Sequence, residues 1–163
     1  MRRRLIVVMG VSGSGKTTVG KALHQAIGGH FVEADDFHSP ANIEKMSSGS
    51  PLSDHDRRDW IRAIVDHLNE RTDPPFILAC SALTPFVQSE LGRAQACDVT
   101  WFHLESDRDS LAKRMAARDH FMPASLLESQ FAALHPPAEA ISIDGSLPLD
   151  EVVEACRAAI NRS

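Results

Sequence analysis

Short apolar runs alternate along this chain with longer segments in which apolar residues recur every three or four positions. The runs are bounded by Gly, Pro, Ser or Asp, which is typical of strands that end in turns. Strands that are apolar throughout and separated by helices form parallel sheets covered on both faces. The pattern predicts a three-layer α/β/α fold with a five-stranded parallel sheet, whose strands are Leu5–Met9, Phe31–Ala34, Phe76–Cys80, Val99–Leu104 and Ala140–Ile143.

Helical periodicity is clearest between the second and third strands, where one face carries Trp60, Ile61, Ile64, Val65 and Leu68. A later helix is marked by Thr84, a suitable N-cap, and by Pro85, which suits the first helical position. The predicted helices run from Lys16 to about Ile27 and from about Asp54 to Glu70, and others begin at Thr84, near Asp107 and before the stripe Val152, Val153, Cys156, Ala159 and Ile160.

The segment GVSGSGKT, from Gly10 to Thr17, lies between the first strand and the first helix. Its glycines permit positive φ angles and close backbone approach, so that successive N–H groups and the helix N-terminus face an anion. In a phosphate-binding loop of this spacing, Lys16 reaches the β- and γ-phosphate oxygens, and the Thr17 hydroxyl ligates Mg²⁺. The expected ATP-binding residues are Gly10, Val11, Ser12, Gly13, Ser14, Gly15, Lys16, Thr17 and Thr18.

Length and composition narrow the class of protein. A chain of 163 residues with 43% apolar side chains buries one core, so we expect a single domain over residues 1–163. No segment approaches the roughly 20 apolar residues of a membrane span, and a net charge of −5 argues against a general nucleic-acid surface. Cys80, Cys97 and Cys156 lack the spacing of a disulfide framework or a zinc site. We expect a cytoplasmic protein with reduced thiols that binds a small molecule, with no nucleic-acid or membrane partner.

Carboxylates occur at the carboxyl end of the second predicted strand, at Glu33 within the strand and at Asp35 and Asp36 just after it. Ligands of open α/β sheets collect at the carboxyl edge of the strands. Phosphoryl transfer to an alcohol needs an acceptor for the hydroxyl proton and a partner for Mg²⁺. We expect Asp35 to be the catalytic base, and Glu33, on the same side under strand alternation, to support Mg²⁺ through water. The alternative is that Asp35 and Asp36 only cap the next helix.

Four longer segments carry a family resemblance. They are GVSGSGKT, ADDFHSPANIEKMSSGSPLSDHDRRDWI (residues 34–61), ACSAL (79–83) and HFMPASLLESQFAALHPP (120–137). Together they resemble the gluconokinase family of the thermoresistant type, which is related to shikimate and nucleoside-monophosphate kinases. The resemblance implies a P-loop kinase fold, ATP-dependent phosphorylation of D-gluconate at its 6-hydroxyl, Mg²⁺ dependence and a homodimer. A P-loop kinase of another sugar acid or polyol and a non-catalytic nucleotide-binding module are the alternatives.

A helical substrate-binding insertion is expected over about residues 38–71, between the second and third strands. His38, Asn42 and Lys45 lie at its start and are candidates to line a pocket for the hydroxyls and carboxylate of gluconate. For His38, a role in orienting other groups explains its position as well as a catalytic role does.

Arg57 and Arg58 are the candidates for binding the carboxylate of gluconate, with Arg58 preferred. A guanidinium forms bidentate hydrogen bonds with a carboxylate, which makes arginine its natural receptor. The alternative for either arginine is an exposed helical ion pair with Asp54, which contributes only tenths of a kcal/mol.

A lid is expected over about residues 115–135, after the helix that begins near Asp107. In the kinases that this chain resembles, arginines of such a helix meet the negative charge that develops on the transferring phosphoryl group. Arg114 and Arg118, four residues apart, are the candidates for this catalytic role, and the alternative is a solvated basic face. Ser129 and Gln130 are expected to help the lid close.

The chain departs from the family pattern at several positions. Family members usually carry basic residues and a tyrosine after the CSAL segment, whereas this chain has Thr84, Pro85, Val87 and Gln88 there. Asp119 replaces the usual glycine before His-Phe, and His135 replaces the usual glutamate before the closing proline. The sequence therefore predicts a site with fewer cations on this side, in which Arg57, Arg58 and Lys45 carry more of the substrate binding.

Overall fold

Five parallel strands form one sheet in the computed structural model, which describes residues 4–72, 74–94, 98–117 and 126–163. In chain order the strands are β1 (Arg4–Met9), β2 (His30–Glu33), β3 (Phe76–Ala79), β4 (Asp98–Glu105) and β5 (Ile141–Asp144). Their spatial order is β2-β3-β1-β4-β5, so that β1 is central. All five predicted strands are confirmed, and no predicted end is wrong by more than one residue.

Helices connect the strands. They are α1 (Lys16–Ile27), α2 (Pro40–Ser47), α3 (Asp54–Asn69), α4 (Pro85–Gly92), α5 (Arg108–Ala117), α6 (Leu127–Ala133) and α7 (Leu149–Arg162), and a 3₁₀ turn (Ala34–Phe37) follows β2. The prediction of α1 is confirmed at both ends, and α3 ends one residue earlier than predicted. Helix α2 is not predicted from the sequence, because its eight residues are too few to show a period.

Side-chain caps fix where the helices of the predicted insertion begin. The Ser39 hydroxyl accepts the backbone N–H of Asn42 at the start of α2. At the start of α3, Ser53 and Asp56 form a reciprocal capping box, in which each side chain accepts the other residue's backbone N–H. The predicted N-cap of α4 is confirmed, since the Thr84 hydroxyl accepts the N–H of Val87.

Alternate residues of β1 pack into apolar clusters on opposite faces of the sheet. Leu5, Val7 and Met9 pack with α3 and α4, whereas Ile6 and Val8 pack with α1 and α7. All five side chains are fully buried. Burying an aliphatic side chain of this size contributes about 1.5–3 kcal/mol, so the central strand is a main source of stability.

The carboxyl ends of three neighbouring strands bring chemically distinct segments together. β1 leads into the glycine-rich loop, β2 leads into the 3₁₀ turn that carries Asp35, and β3 leads into Ser81. The Ser81 carbonyl accepts the N–H of Gly10 at 3.4 Å, which joins two of these segments. This edge is where open α/β sheets bind their ligands.

Some sequence predictions fall outside the described residues, namely those on Arg118, Asp119 and Cys97, together with the rest of residues 118–125 in the expected lid.

Cys80 and Cys156 are buried free thiols, and burial raises the pKa of each to about 12. In the described part of the chain, no helix has the length and apolar character needed to cross a membrane.

The two tryptophans offer a matched test of how α3 is fixed to the end of β2. Trp60 Nε1 donates to the Ala34 carbonyl at 2.8 Å, whereas Trp101 is buried without a side-chain hydrogen bond to the described residues. Trp60→Phe removes this buried hydrogen bond, so we expect it to lower the free energy of unfolding by about 0.5–1.5 kcal/mol more than Trp101→Phe does. Urea unfolding of both variants measures the difference, and equal losses would contradict the role assigned to this hydrogen bond.

Candidate active site

The glycine-rich loop has the backbone geometry that the sequence predicts. Gly10, Gly13 and Gly15 have φ angles of 153°, 81° and 94°, and α1 begins directly after them. Val11, Ser12 and Ser14 are buried within the turn, whereas Thr18 is exposed on α1. A loop of this shape directs backbone N–H groups and a helix N-terminus toward one point, which makes it a binding site for an anion such as a phosphate.

The Lys16 side chain folds back over this loop. Its Nζ donates to the Val11 carbonyl at 3.0 Å. Burial lowers the pKa of Lys16, while the nearby side chains of Asp35, Cys80 and Glu33 act in the opposite direction. The ammonium is therefore a poorly hydrated charge, and a bound phosphate would stabilise it.

Glu33 joins the loop to the end of β2. Its carboxylate accepts hydrogen bonds from the Thr17 hydroxyl and, at 3.3 Å, from the backbone N–H of Asp35. Burial raises the pKa of Glu33 despite these hydrogen bonds. The strand ends at Glu33, so Asp35 lies in the 3₁₀ turn and strand alternation does not decide which way it faces.

The Thr17 hydroxyl and the Glu33 carboxylate fit a hard divalent cation, because both present oxygen ligands. No group of three or more His, Cys, Asp or Glu side chains suited to a metal occurs in the described parts of the chain. Magnesium sites of this kind use few protein ligands and fill the remaining positions with water and substrate phosphates. The donor set therefore fits Mg²⁺ bound together with a nucleotide.

A cavity adjoins the glycine-rich loop and brings together residues from distant parts of the chain. Of the predicted site residues, Ser12, Lys16, Asp35, His38 and Arg57 line it. Its other polar lining comes from Ser81, Ser129 and Gln130, and its remaining lining is Met46, Pro51, Leu52, Trp60, Leu83, Leu126 and Ala133. One part of the cavity is thus polar and charged, and another part is apolar.

His38 is held between Trp60 and Asp35. Its ring stacks on Trp60 with the centroids 4.6 Å apart and the planes 5° from parallel. Its Nε2 lies 3.8 Å from Asp35 Oδ1, and its side chain is 7% exposed whereas that of Asp35 is 53% exposed. Burial lowers the pKa of His38, which favours the neutral imidazole. The arrangement suits His38 for orienting neighbouring groups, whereas Asp35 is accessible to a ligand.

The two adjacent arginines of α3 have different surroundings. Arg57 lines the cavity with a side chain that is 15% exposed, and its guanidinium lies 3.1 Å from Asp54 Oδ1. The same oxygen accepts the Thr84 hydroxyl at 2.9 Å, so Asp54 is fixed from two sides. Arg58 is exposed and is absent from the described lining of the cavity. The structure thus brings Arg57, and not the preferred candidate Arg58, to the cavity.

Lys45 and Asn42 connect the two helices of the insertion. Lys45 Nζ donates to Asp56 Oδ2 at 2.7 Å, and this hydrogen bond, together with those from Ser53, lowers the pKa of Asp56 to about 2. Asn42 Nδ2 donates to the Asp56 carbonyl at 2.9 Å. Neither side chain belongs to the described lining of the cavity, so the structure engages both in joining α2 to α3.

Gln88 also has a structural contact that the sequence does not reveal. Its Nε2 donates to the carbonyls of Ala82 and His135, at 2.9 and 2.8 Å. The N–H of His135 in turn donates to the Leu83 carbonyl at 2.8 Å. Gln88 therefore joins the loop after β3 to the end of α6. Compared with the basic residue usual in the family, this position thus differs both in charge and in the hydrogen bonds that its side chain makes.

Helices α5 and α6 contact the glycine-rich loop. The guanidinium of Arg114, on α5, donates to the Gly13 carbonyl at 3.2 Å. Gln130 Oε1, on α6, accepts the N–H of Ser12 at 2.6 Å.

The sequence does not predict Ser81 or the apolar residues of the cavity as site residues. An isolated serine after a strand and apolar residues in an insertion carry no distinctive signal.

Comparisons with known proteins agree with this geometry. Residues 5–137 match the AAA domain family. The gluconokinase of Gluconobacter oxydans (strain 621H) is 42% identical over 160 residues, which cover 94% of this chain and 89% of that protein. The crystal structure of a gluconokinase from Sinorhizobium meliloti 1021 is 40% identical, with a TM-score of 0.86 and coverage of 99% of this chain and 94% of that chain. A shikimate kinase from Bacteroides thetaiotaomicron, 14% identical with a TM-score of 0.69 over 97% of this chain and 98% of its own, shares the fold.

The charges around His38 predict opposite responses of its pKa to two substitutions. The Asp35 carboxylate raises this pKa, and the Arg57 guanidinium lowers it. We therefore expect Asp35→Asn to lower the pKa of His38 further and Arg57→Ala to raise it. Titration of the imidazole proton resonances by NMR measures both shifts, with Asp36→Asn as the control that leaves the His38 resonance unaffected. Shifts of the same sign in the first two variants would mean that these three side chains do not form one electrostatic cluster.

Proposed function

The chain belongs to the gluconokinase family of P-loop kinases, and we propose that it transfers the γ-phosphoryl group of ATP to the 6-hydroxyl of D-gluconate. The main support for this proposal is one cavity that is lined by a phosphate-loop lysine, a carboxylate and an enclosed arginine, namely Lys16, Asp35 and Arg57. A sugar acid needs an anion receptor for its carboxylate and a proton acceptor beside its reacting hydroxyl. The cavity offers both next to the loop that binds ATP.

Asp35 is the proposed base for the reacting hydroxyl. Its carboxylate is half exposed in the cavity beside Lys16, where a hydroxyl and a terminal phosphate would meet. As the acceptor oxygen attacks the γ-phosphorus, the bond from that phosphorus to the bridging oxygen of ADP breaks, ADP leaves, and the hydroxyl proton passes to the Asp35 carboxylate. The neutral His38 ring, stacked on Trp60, limits the positions that the Asp35 side chain can adopt.

Lys16, Arg114 and Arg118 are proposed to stabilise the negative charge of the transferring phosphoryl group. Lys16 belongs to the loop itself, and the contact of Arg114 with the Gly13 carbonyl brings that guanidinium to the edge of the loop. Arg118 lies outside the described residues, and its role rests on the family resemblance.

Thr17 and Glu33 are the proposed ligands of Mg²⁺, with Glu33 acting through water. When bound, Mg²⁺ neutralises charge on the β- and γ-phosphate oxygens. The Thr17–Glu33 hydrogen bond supports this proposal, because it keeps an uncharged hydroxyl and a carboxylate together at the start of α1.

We further propose, from the family resemblance and the composition, that the chain is a single domain with a substrate-binding insertion at about residues 38–71 and a lid at about 115–135. On the same basis we propose a homodimer and a cytoplasmic location. The fixed contacts of α2 with α3, through Lys45 and Asn42, support the insertion as one unit.

A kinase of another sugar acid or of a polyol is the second candidate. The apolar part of the cavity, formed by Met46, Leu52, Leu83 and Leu126, favours it, because such a surface contacts C–H groups without requiring every hydroxyl of gluconate. Activity measured across gluconate, other sugar acids and the polyol D-glucitol separates the two candidates. A folded protein that phosphorylates none of these acceptors would favour a non-catalytic nucleotide-binding module.

Asp35 and its neighbour Asp36 allow a matched test of the proposed base. Asp35→Asn keeps the shape of the side chain and removes its basicity, so we expect kcat with gluconate to fall by about 10²-fold or more. Asp36→Asn, whose side chain is not part of the described cavity lining, should leave kcat unchanged. Steady-state kinetics with a coupled ADP assay measures both. If Asp35→Asn raises only KM for gluconate, Asp35 positions the acceptor and does not take its proton.

Arg57 and Arg58 allow a second matched test, directed at the acceptor carboxylate. Arg57→Ala should raise KM for gluconate by about 10- to 100-fold, because a charge-assisted hydrogen bond in an enclosed site contributes about 1.5–3 kcal/mol. Arg58→Ala removes an exposed charge and should change KM by less than about threefold.

The acceptor panel extends this test to the chemistry that Arg57 recognises. D-glucitol has no carboxylate, so Arg57→Ala should leave any activity toward it unchanged. An equal loss with gluconate and D-glucitol would mean that Arg57 maintains the shape of the cavity and does not bind the carboxylate.

A further inference from the structure

One face of α6 forms a wall of the cavity. Leu126, Ser129, Gln130 and Ala133 line the cavity from this helix and from its N-cap. Leu126, Gln130 and Ala133 are spaced by four and three residues, which places them on the same side of a helix, and Ser129 lies beside Gln130 at the edge of that side. The position of α6 relative to the glycine-rich loop therefore sets the shape of the space available to an acceptor.

Gln130 makes a polar contact between this wall and the loop. Its Oε1 accepts the N–H of Ser12 at 2.6 Å. The neighbouring Ser129 hydroxyl donates within its own turn, to the Leu126 carbonyl at 2.7 Å. Ser12 is buried between Gly10 and Gly13, and a buried backbone N–H requires an acceptor.

Gly13, the residue after Ser12 in the loop, is held by a side chain of α5. Arg114 donates to the Gly13 carbonyl at 3.2 Å. Helices α5 and α6 are joined to each other, since the Arg108 guanidinium lies 2.6 Å from the Glu128 carboxylate and 4.6 Å from the centre of the Phe131 ring. The turn at residues 12–13 is thus held at its N–H and at its carbonyl by two connected helices.

The neutral amide side chain of Gln130 suits its position beside the loop better than a carboxylate would. The charged and titratable side chains that line the cavity in the described residues are Lys16, Asp35, His38 and Arg57. A carboxylate at position 130 would also accept the Ser12 N–H, but it would add a second negative charge beside Asp35 where phosphates enter. The amide oxygen satisfies the N–H without adding charge.

We propose that Gln130 is a positioning residue for phosphoryl transfer, which fixes the Ser12–Gly13 turn relative to the acceptor cavity through a neutral hydrogen-bond acceptor. This inference rests on the proposed function. In-line transfer requires the terminal phosphate and the acceptor oxygen to be aligned, and small displacements of either cost rate. Gln130 thereby couples the wall that contacts the acceptor to the loop that holds the phosphates.

Kinetics of Gln130→Met provide the first test. This substitution preserves length but removes the acceptor, so we expect kcat with gluconate to fall about tenfold, the rate equivalent of one lost hydrogen bond. KM for ATP and for gluconate should change by less than about threefold, and the rates are compared well below the melting temperature of each variant, because an unpaired Ser12 N–H also lowers stability. Gln25→Met, the same substitution at an exposed site on α1, is the control. Retention of kcat in Gln130→Met, or a loss confined to KM for gluconate, would overturn the proposal.

Gln130→Glu tests whether the acceptor must be neutral. The ratio of its kcat to that of the wild type should rise as the pH falls from 8 to 6, because protonation removes the added charge while a carbonyl oxygen still accepts the Ser12 N–H. Division by the wild-type rate removes the pH dependence that both proteins share, and the ratio for Gln130→Met, which adds no charge, should stay constant. A constant ratio for Gln130→Glu would overturn the requirement for a neutral acceptor.

A measurement without catalysis separates this proposal from the proposed function. The Ser12 amide should exchange with deuterium about tenfold or more faster in Gln130→Met than in the wild type, as followed by NMR, whereas Gln25→Met should not change it. Unchanged exchange would overturn the Gln130 contact whatever the substrate is. Failure of the wild type to phosphorylate gluconate, with faster Ser12 exchange in Gln130→Met, would overturn only the proposed acceptor.

Discussion

The site depends on keeping a lysine charged inside a loop that excludes most of its water. Burial favours the neutral amine of Lys16, whereas the nearby side chains of Asp35, Cys80 and Glu33 favour the charged form, and the Val11 carbonyl accepts a hydrogen bond from it. A kinase needs carboxylates for the base and the metal, yet it must also bind a polyanion. In the proposed site, an ammonium close to both carboxylates and to the loop resolves this conflict, because each negative group that enters the site would favour the charged lysine.

Hydrogen bonds between side chains and backbone groups of other elements help to hold the walls around that charge. Trp60 holds the turn after β2, and Gln88 holds the loop after β3 against the end of α6. Such bonds fix loops and turns whose backbone groups are not paired within the sheet. Asp54 acts in a related way, because it holds the Arg57 guanidinium and is itself held by the Thr84 hydroxyl.

The features predicted correctly from sequence are those that neighbouring residues determine. Strand positions follow from apolar runs, and the positive φ angles of the loop follow from its glycines. The choice between Arg57 and Arg58 is different, because successive helical residues point about 100° apart and only the packing of α3 decides which one is enclosed. The contact of Lys45 with Asp56 likewise depends on how α2 turns back onto α3, which no local pattern specifies.

Where the chain departs from the family pattern, the charge of a residue does not by itself show what that residue does. Judged by charge, Thr84 and Gln88 are lost cations, but in the structure both are donors that hold Asp54 and two loop carbonyls. Among the described residues, Lys16 and Arg57 are the lysine and arginine side chains that line the cavity. In the proposed reaction, the phosphates of ATP neutralise Lys16, so Arg57 is the cation left for the acceptor carboxylate. Binding of the nucleotide would then orient the acid, with its carboxylate at Arg57 and its terminal hydroxyl toward Asp35.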